Sequence, residues 1–452
     1  MLEMPEFPEL ASTAESTAET AAVPTERPAR RPSLWRHADF MKIWSAATVS
    51  LMGSAVSQIA IPFIAAFVLR SSPLEVALLG AVQMAPFIMF ALPAGAWLDR
   101  VRRRPVLIAG DFGRGLALLT IPVAYVAGVL TIWQLFAVAF VTGFLTVLFD
   151  VADQSYLPVL IDREDLVQGN AKLSLSQSSA QIVGPGFGGG LVGLVGAPFA
   201  VIADAVSFFV SGGLISLIRK HEPTPERKLA ADGSHTSLRQ EISEGLRFVL
   251  GNRHLRMIAA ATATSNLGSS IAYAIFPIFV YVELGLRPEL IGLAMGLGSV
   301  GLLLGAAVAS PMTRRFGLGP MIVGALLIDG PGLVLVALLP REAFVAGALL
   351  LASEFIIGLS AVLYNVNQVS FRQAITPLEM QGRMNATMRF LVWGIMPVGF
   401  LAGGLLASFL PLRTTILIGA AIGSSAFLWV LASPVRSLRE IPTPTSVEAT
   451  SD

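Results

Sequence analysis

Apolar stretches of bilayer length are the feature that most constrains how this chain folds. They recur from Met41 to Ser433, and each can cross a hydrocarbon core of about 30 Å as a helix rising about 1.5 Å per residue. Only 13% of the 452 residues are charged, against about 25% in soluble domains. We therefore predict an all-α, polytopic membrane protein with twelve transmembrane helices, near residues 42–69, 74–98, 105–127, 131–151, 167–195, 197–218, 254–282, 289–312, 318–340, 343–368, 382–409 and 413–434.

Polar segments divide the chain into regions. An amphipathic helix near the middle is indicated by the spacing of Leu238, Ile242, Leu246, Val249 and Leu250. The predicted regions are a disordered cytoplasmic tail (1–36), a six-helix bundle (37–218), a cytoplasmic linker with that helix (219–253), a second six-helix bundle (254–434) and a disordered cytoplasmic tail (435–452).

Basic residues are divided unequally between the two sets of loops. One set holds only Arg70, Arg287, Arg341 and Arg413, whereas the other set and the tails hold many more. Loops rich in Lys and Arg stay in the cytoplasm. We therefore expect a multi-pass protein of the inner or plasma membrane with both termini in the cytoplasm.

The two halves of the chain repeat one another. A single alignment register lays 148–171 on 363–386, and the same register lays Gly184 on Gly399. One register that holds over such a length indicates two homologous six-helix bundles. Halves of this kind rock against each other around a site near the midplane of the bilayer.

A dense cluster of charge stands at the end of the second span. Residues 95–105 read GAWLDRVRRRP, so that Asp99 is followed at once by four arginines. Arginines at this boundary indicate the cytoplasmic side. A carboxylate placed there, facing the start of another helix, is able to latch one of two conformations.

With these features the chain resembles the major facilitator superfamily over about residues 40–434. Gly95, Asp99, Arg100 and the basic residues after them resemble the signature of its loop between helices two and three, although Arg102 stands where a second glycine is usual. The copy of this signature in the second half, at residues 310–317, has lost its acid. The resemblance implies secondary active transport by alternating access.

A second motif narrows the resemblance to one branch. Gly184-Pro185-Gly186-Phe187-Gly188-Gly189 resembles the fifth-helix motif of the drug:proton antiporters, although Ala180 replaces one of its earlier glycines. The segments LVQGNAKLSLSQ and EGLRFVLGNRHLR are most similar to bacterial siderophore and macrolide exporters of the transmembrane secretion effector type. We therefore predict proton-coupled efflux of a small amphipathic compound, such as a drug, a secondary metabolite or a siderophore.

The same residues are compatible with two other functions. One is a facilitator or symporter that imports a nutrient, and the other is a non-transporting or lipid-handling membrane protein. Within the resemblance, Asp99 is expected to face the start of the eleventh helix, and Arg103 to pair with Asp150 at the inner end of the fourth helix. The alternative is that these charges only set the membrane topology and interact with the membrane–water interface.

Charged residues within the spans are the next candidates, because each needs a partner or a water-filled cavity. Glu354 lies near the midplane of the tenth span, and we predict that it carries the proton or contacts a cation, or else is a structural acid. Asp111 and Arg114 share a helix face and form either a structural ion pair or part of the transport machinery. Asp329 is a further coupling candidate, but its helix is peripheral in the resembling fold, which favours a structural role instead.

Polar and aromatic residues supply the candidates for the substrate cavity. Gln58, Asn266, Gln177 and Gln181 are either cavity-lining groups or helix–helix contacts. Arg389 either meets an anionic substrate or neutralises an acid, and Trp393 either contacts an apolar solute or has a lipid-facing or packing role. Pro185 removes a backbone donor and predicts a kink in the fifth helix. The glycines around it are consistent with either a functional kink or ordinary close packing of a neighbouring helix. They are Gly184, Gly188 and Gly189.

Several classes of function are excluded or disfavoured. The chain has no cysteine, so it forms no disulfide or thiolate metal site, and no lysine follows a glycine as in a Walker A loop. No catalytic set is visible, so we predict that it is not an enzyme and has neither a cofactor nor a metal. The expected partners are a small-molecule substrate, protons and the lipid bilayer, with no nucleic acid, and the protein is expected to act as a monomer.

Overall fold

The structure is a computed structural model, and it describes residues 34–98, 101–162, 165–220, 222, 238–377 and 380–440. The first half contains six long helices. They are α1 (Ala38–Phe63, extended by a π-helical turn, Ile64–Val68), α2 (Pro73–Leu98), α3 (Arg103–Val126), α4 (Ile132–Leu160), α5 (Leu166–Val195) and α6 (Ala197–Ser216).

The second half begins with a short helix that belongs to the predicted linker. It is followed by six spans, three of which are made of two helices in line. These elements are α7 (Leu238–Gly251), α8 (Arg253–Pro277, extended by Ile278–Glu283), α9 (Pro288–Gly298) with α10 (Val300–Phe316), α11 (Leu318–Ala337), α12 (Ala343–Ala374), α13 (Gln381–Trp393) with α14 (Met396–Phe409), and α15 (Leu412–Ser424) with α16 (Phe427–Leu431).

The predicted all-helical membrane architecture is confirmed. Within the described ranges, eleven helices or helix pairs are long and apolar enough to cross a membrane. The predicted fifth span is the 30-residue helix α5, and the glutamines, serines and glycines along it reduce its apolar character. The chain is therefore a multi-pass helical membrane protein, and α5 stands among its long helices despite that polar content.

Local sequence signals explain where several helices begin. The side chain of Asn252 accepts hydrogen bonds from the backbone N–H groups of His254 and Leu255, at 2.9 and 3.1 Å, and so caps α8. Gly196 and Gly317 have φ angles of 83° and 94°, a region that other residues rarely adopt. Each of these two glycines therefore lets one helix follow another after a single residue.

The predicted tail boundaries are corrected by a few residues at both ends. Leu34–Arg36 form a 3-10 helix in which Leu34 is buried, although the first tail was expected to reach residue 36. Pro434–Ser437 form another 3-10 helix, and Val435 is buried in the core of the second half. The rest of both predicted tails, 1–33 and 441–452, lies outside the described residues.

The chain that follows α6 folds back to cap the start of α3. Glu222 is almost fully buried, and its two carboxylate oxygens accept from the backbone N–H groups of Arg103 and Arg104 at 2.8 and 3.0 Å. Its Oε1 also lies 3.5 Å from Nη1 of Arg103. The segment 219–222, predicted as linker, is thus fixed to the first bundle at residue 222.

The second half repeats this cap with different chemistry. The backbone N–H groups of Leu318 and Gly319 donate to the carbonyl groups of Arg439 and Leu438 at 3.2 and 2.8 Å. In the register of the internal repeat, Leu318 and Gly319 are the equivalents of Arg103 and Arg104, so the repeat extends to the helix ends. A carboxylate satisfies these donors in the first half, and backbone carbonyls satisfy them in the second.

The two ends of the helical bundle differ in how the halves meet. We call the end that carries Leu98, Arg103 and Arg253 the linker side, and the end that carries Pro73 and Pro288 the distal side. On the distal side the halves pack closely through small residues. A Cβ added at Gly296 of α9 would lie 2.6 Å from the carbonyl oxygen of Ile182 in α5, so the two backbones touch.

Further contacts complete the distal closure. The rings of Phe63, at the end of α1, and Tyr281, at the end of α8, pack edge to face at a centroid distance of 4.8 Å. Gly80 of α2 lies against the ring of Phe400 in α14. These contacts, of α1 with α8, of α2 with α14 and of α5 with α9, therefore close the distal side.

We expect Gly292→Val in α9 to open the distal side, because Gly292 lies against the backbone of Pro185 and Gly189. Overpacking of this kind costs about 1–3 kcal/mol, which favours the conformation in which α5 and α9 separate. Since the chain has no cysteine, spin labels on cysteines placed at Val129 and Arg341 report the opening directly as a longer inter-label distance. Gly190→Val is the matched control, because a Cβ at Gly190 meets nothing within 4 Å; equal distances in the two variants would refute this contact as the seal.

We also expect Glu222→Ala to destabilise the protein, because two partly buried N–H groups of α3 lose their acceptor. Loss of a side-chain cap costs about 0.5–2 kcal/mol, and a thermal melt of the purified protein in detergent measures it as a lower Tm. Glu342→Ala is the control, since Glu342 precedes α12 without capping it. A melt no lower than that of the control would contradict the capping role.

Candidate functional site

A cavity of about 310 Å³ lies between the two halves in the linker-side part of the bundle. Helices α2 and α4 of the first half form one wall, and α13 forms the opposite wall. Aromatic and aliphatic side chains dominate the lining, together with three polar ones. The lining residues are Phe87, Ile88, Val147, Asp150, Val151, Gly382, Asn385, Ala386, Arg389, Phe390, Trp393 and Gly394.

The spacing of residues on α13 explains why it lines the cavity. Asn385, Arg389 and Trp393 are four residues apart and therefore share one face of the helix. Met384 and Met388, on another face, are buried in the core of the second half. Polar and bulky groups that the core does not bury are thus directed to the space between the halves.

Two opposite charges face each other across this cavity. Asp150 projects from α4 and Arg389 from α13, and the charges of Arg114, within the first half, and of Arg389 both act on Asp150. The guanidinium carbon of Arg389 lies 4.9 Å from the ring centroid of Trp393, a cation–π contact. The Trp393 ring in turn packs against that of Phe87 at 5.9 Å, so the structure brings together Asp150, Arg389 and Trp393 from the predicted site residues.

The predicted pairing of Arg103 with Asp150 is not present in this conformation. Arg103 is the first residue of α3, where its guanidinium pairs with Glu222 instead. Gly95 lies in the last turn of α2. Asp99 and Arg100, the other predicted gate residues, lie outside the described residues.

Glu354 forms a separate polar site within the second half. Its Oε1 accepts a hydrogen bond of 3.0 Å from the hydroxyl of Tyr273 in α8. A Cβ added at Gly298, the last residue of α9, would meet the Cβ of Glu354. Glu354 therefore lies where α8, α9 and α12 meet, and it does not line the cavity with Asp150.

The other two coupling candidates are buried within single halves. Asp329 of α11 accepts a long hydrogen bond of 3.4 Å from Ser265. Asp111 and Arg114 of α3 form a buried ion pair, and the Arg114 guanidinium lies 4.3 and 4.2 Å from the ring centroids of Phe149 and Phe208. This aromatic enclosure favours the structural role for the Asp111–Arg114 pair.

The glycines of α5 lie at close helix contacts on both of its sides. Gly184 and Gly188 face Ala55 of α1, and Gly189 faces Pro288 and Gly292 of α9. Helix α5 is hydrogen-bonded as one helix through Pro185. Close packing thus accounts for these glycines, and the predicted kink at Pro185 stays a prediction.

The remaining cavity candidates lie elsewhere. Asn266 donates from Nδ2 to the carbonyl oxygen of Val392, at 2.9 Å, and so joins α8 to α13. Gln58, Gln177 and Gln181 have exposed side chains on α1 and α5, away from the lining of the cavity. Asn266 thus fulfils the helix–helix alternative that its sequence position left open.

Sequence patterns alone did not predict some residues of these sites. Phe87 and Phe390 carry no signal that separates a cavity aromatic from a lipid-facing one. Tyr273 is the equivalent of Gln58 in the register of the internal repeat. Its equivalence to a predicted cavity residue is therefore a sequence signal for Tyr273. Among the described residues, no group of three or more His, Asp or Glu side chains has metal-binding geometry.

Comparisons with known proteins agree with this geometry. A family model described as transmembrane secretion effector matches residues 32–447. The uncharacterized MFS-type transporter YfiS of Bacillus subtilis is 26% identical over 86% of this chain and 91% of its own, and the multidrug efflux pump Tap of Mycolicibacterium fortuitum is 27% identical over 82% and 90%. A bacterial homologue of the iron transporter ferroportin, solved in an inward-facing state, overlays with a TM-score of 0.68 at 17% identity, covering 88% of this chain and 99% of that one.

We expect Asp111→Ala to lower the yield and the melting temperature sharply, because it leaves Arg114 buried without its ion-pair partner. Breaking a buried pair costs about 3–5 kcal/mol, whereas replacing both partners by apolar residues is often nearly neutral. The double variant Asp111→Leu/Arg114→Met should therefore melt closer to the wild type than the single variant does. A double variant that folds well but no longer transports would assign the pair to coupling instead.

Proposed function

The chain belongs to the transmembrane secretion effector family of the major facilitator superfamily, and we propose that it exports a small amphipathic compound in exchange for protons. The observation that carries this proposal is the cavity between the two halves, with the distal side closed behind it. Alternating access requires a site of this kind, reached from one side at a time. One chain supplies both halves, so a monomer in the bilayer suffices.

The composition of the cavity supports an amphipathic substrate. Cavities that bind small molecules are lined mostly by apolar groups, with a few polar groups that set orientation. Here Phe87, Phe390 and Trp393 provide apolar and aromatic surface, while Asp150 and Arg389 provide the charges. A sugar or nucleoside would call for more hydrogen-bonding groups than this lining offers.

The distribution of basic residues supports access to the cavity from the cytoplasm, as export requires. The arginines at residues 102–104, 253, 256, 314 and 315 all belong to the linker side, which the positive-inside rule assigns to the cytoplasm. The cavity then loads from the cytoplasm in this conformation. The relative named as a multidrug efflux pump supports the same direction.

We assign the proton to Glu354. Ionised, this carboxylate accepts the hydrogen bond of Tyr273; protonated, it becomes a donor itself and its contact with Tyr273 changes. Its Cβ adjoins Gly298 at the end of α9, and α9 is the helix that seals against α5 on the distal side. Proton binding at Glu354 is thus positioned to alter the distal seal, which is what an antiporter requires.

The test uses inside-out vesicles energised to an acid interior, with a pH-sensitive dye and a panel of amphipathic compounds. We expect some compound to release protons from vesicles with the wild-type protein. Glu354→Gln should abolish that release, because the glutamine amide does not bind and release a proton near neutral pH. Tyr273→Phe should weaken the release without abolishing it, since it removes only the hydrogen bond.

Glu342→Gln, an exposed acid on the distal side, is the matched control and should behave as the wild type does. Full proton release in Glu354→Gln would leave the antiporter proposal intact and remove Glu354 from it. Compound uptake that moves no protons in the wild type would favour a facilitator instead.

A further inference from the structure

Asp150 and Arg389 are charges that the fold itself does not use. Within the described part of the chain, neither side chain takes part in a hydrogen bond or ion pair of its own. This contrasts with Arg114, which is paired and enclosed by two aromatic rings. A charge within a membrane span needs a partner or water, and these two side chains face an open cavity, where both stay available to a ligand.

The two charges come from opposite walls and have opposite signs. Asp150 belongs to the first half and Arg389 to the second, and both line the same cavity of about 310 Å³. A ligand with only a positive group would pair with Asp150 but be repelled by Arg389. A ligand with only a negative group would pair with Arg389 but be repelled by Asp150. Unpaired or like charges are a common source of discrimination between ligands.

The surroundings of Arg389 prepare it to bind a carboxylate. Its guanidinium carbon lies 4.9 Å from the ring centroid of Trp393, a contact that holds the group at the cavity wall. Arginine binds a planar acid with two parallel hydrogen bonds. In the same cavity, Phe87 and Trp393 present aromatic surface to the body of a ligand.

We infer that the cavity is a charge-paired site for a zwitterionic, aromatic amphiphile, whose basic group pairs with Asp150 and whose acidic group pairs with Arg389. This inference rests on the proposed export function for its role in transport. It names the class of substrate, and it assigns Asp150 to the ligand in the conformation that is open on the linker side.

A zwitterion bound in this way also acts on the conformation. Because its two ends attach to different halves, it draws α4 and α13 together across the linker side. A ligand shifts a conformational equilibrium only through a difference in its affinity for the two states. A zwitterion that bridges the walls supplies this difference, whereas a ligand with one charge contacts one wall only.

The experiment measures binding to the purified full chain in detergent, using four forms of one fluorescent scaffold. The scaffold is a quinolone carboxylic acid that bears a piperazine amine, which is a zwitterion. Its methyl ester is a cation, its N-acetyl derivative is an anion, and the N-acetyl ester is neutral. Fluorescence anisotropy gives the Kd of each form without any requirement for transport.

We expect the zwitterion to bind the wild type most tightly, and Asp150→Asn or Arg389→Gln to weaken its binding about tenfold to a hundredfold. The single variants should also change the order of preference. Asp150→Asn should favour the anion and Arg389→Gln the cation, because each variant leaves one charge in the cavity. The distal-side pair Glu342→Gln and Arg341→Gln, which alter the same charges away from the cavity, should keep the wild-type order.

Three results would overturn the inference: four forms that bind equally, four forms that all fail to bind, or variants that weaken every form to the same extent. The last would indicate a structural effect of Asp150 and Arg389. Failure of the proposed function is distinguishable, because binding that follows the expected charge order without proton release in vesicles refutes exchange for protons and leaves the charge-paired site standing.

Discussion

A charge within a lipid bilayer must either pair inside the protein or face water, and this constraint separates Arg114 from Asp150 and Arg389. Arg114 meets the first condition, since Asp111 neutralises it and two phenyl rings enclose it. Asp150 and Arg389 meet the second, since they border the space that separates the halves on the linker side. The packing of the helices thus decides which charges stabilise the fold and which are left for a ligand.

The same constraint applies to the backbone at helix ends. The first N–H groups of α3 and α11 have no partner within their own helices, and in each half the chain that leaves the last helix of the bundle returns to supply one. The repeat register predicts that these two sites are equivalent, but it does not predict their chemistry. Glu222 serves one half and backbone carbonyl groups serve the other, because any acceptor of the right geometry satisfies the same donors.

The two caps show which features the sequence predicts, such as the equivalence of two sites, and which it does not, such as the groups that make the contacts. The length and apolar character of the runs, and the single register that relates the two halves, were sufficient for the fold, since both follow from the thickness of the bilayer and from duplication. Contacts of individual charges were not predictable in the same way. Arg103 had several acids within reach in a twelve-helix arrangement, and only the return of Glu222 decided among them. The aromatic lining was equally hidden, because Phe87 facing a cavity and a phenylalanine facing lipid have the same sequence signature.

The placement of the two polar sites has a mechanical consequence. Glu354 adjoins the end of α9, whose other glycines seal against α5 on the distal side, whereas Asp150 and Arg389 stand across the gap on the linker side. Because each half has a buried core of its own near the linker side, closing one side by rotation of the halves opens the other. A proton that disturbs the distal seal and a ligand that bridges the linker-side gap therefore act on the same rotation and in the same direction, toward an open distal side, although no residue of one site needs to touch the other. Exchange then requires that the proton and the ligand occupy the protein in turn, since linkage through this rotation alone would favour their joint binding.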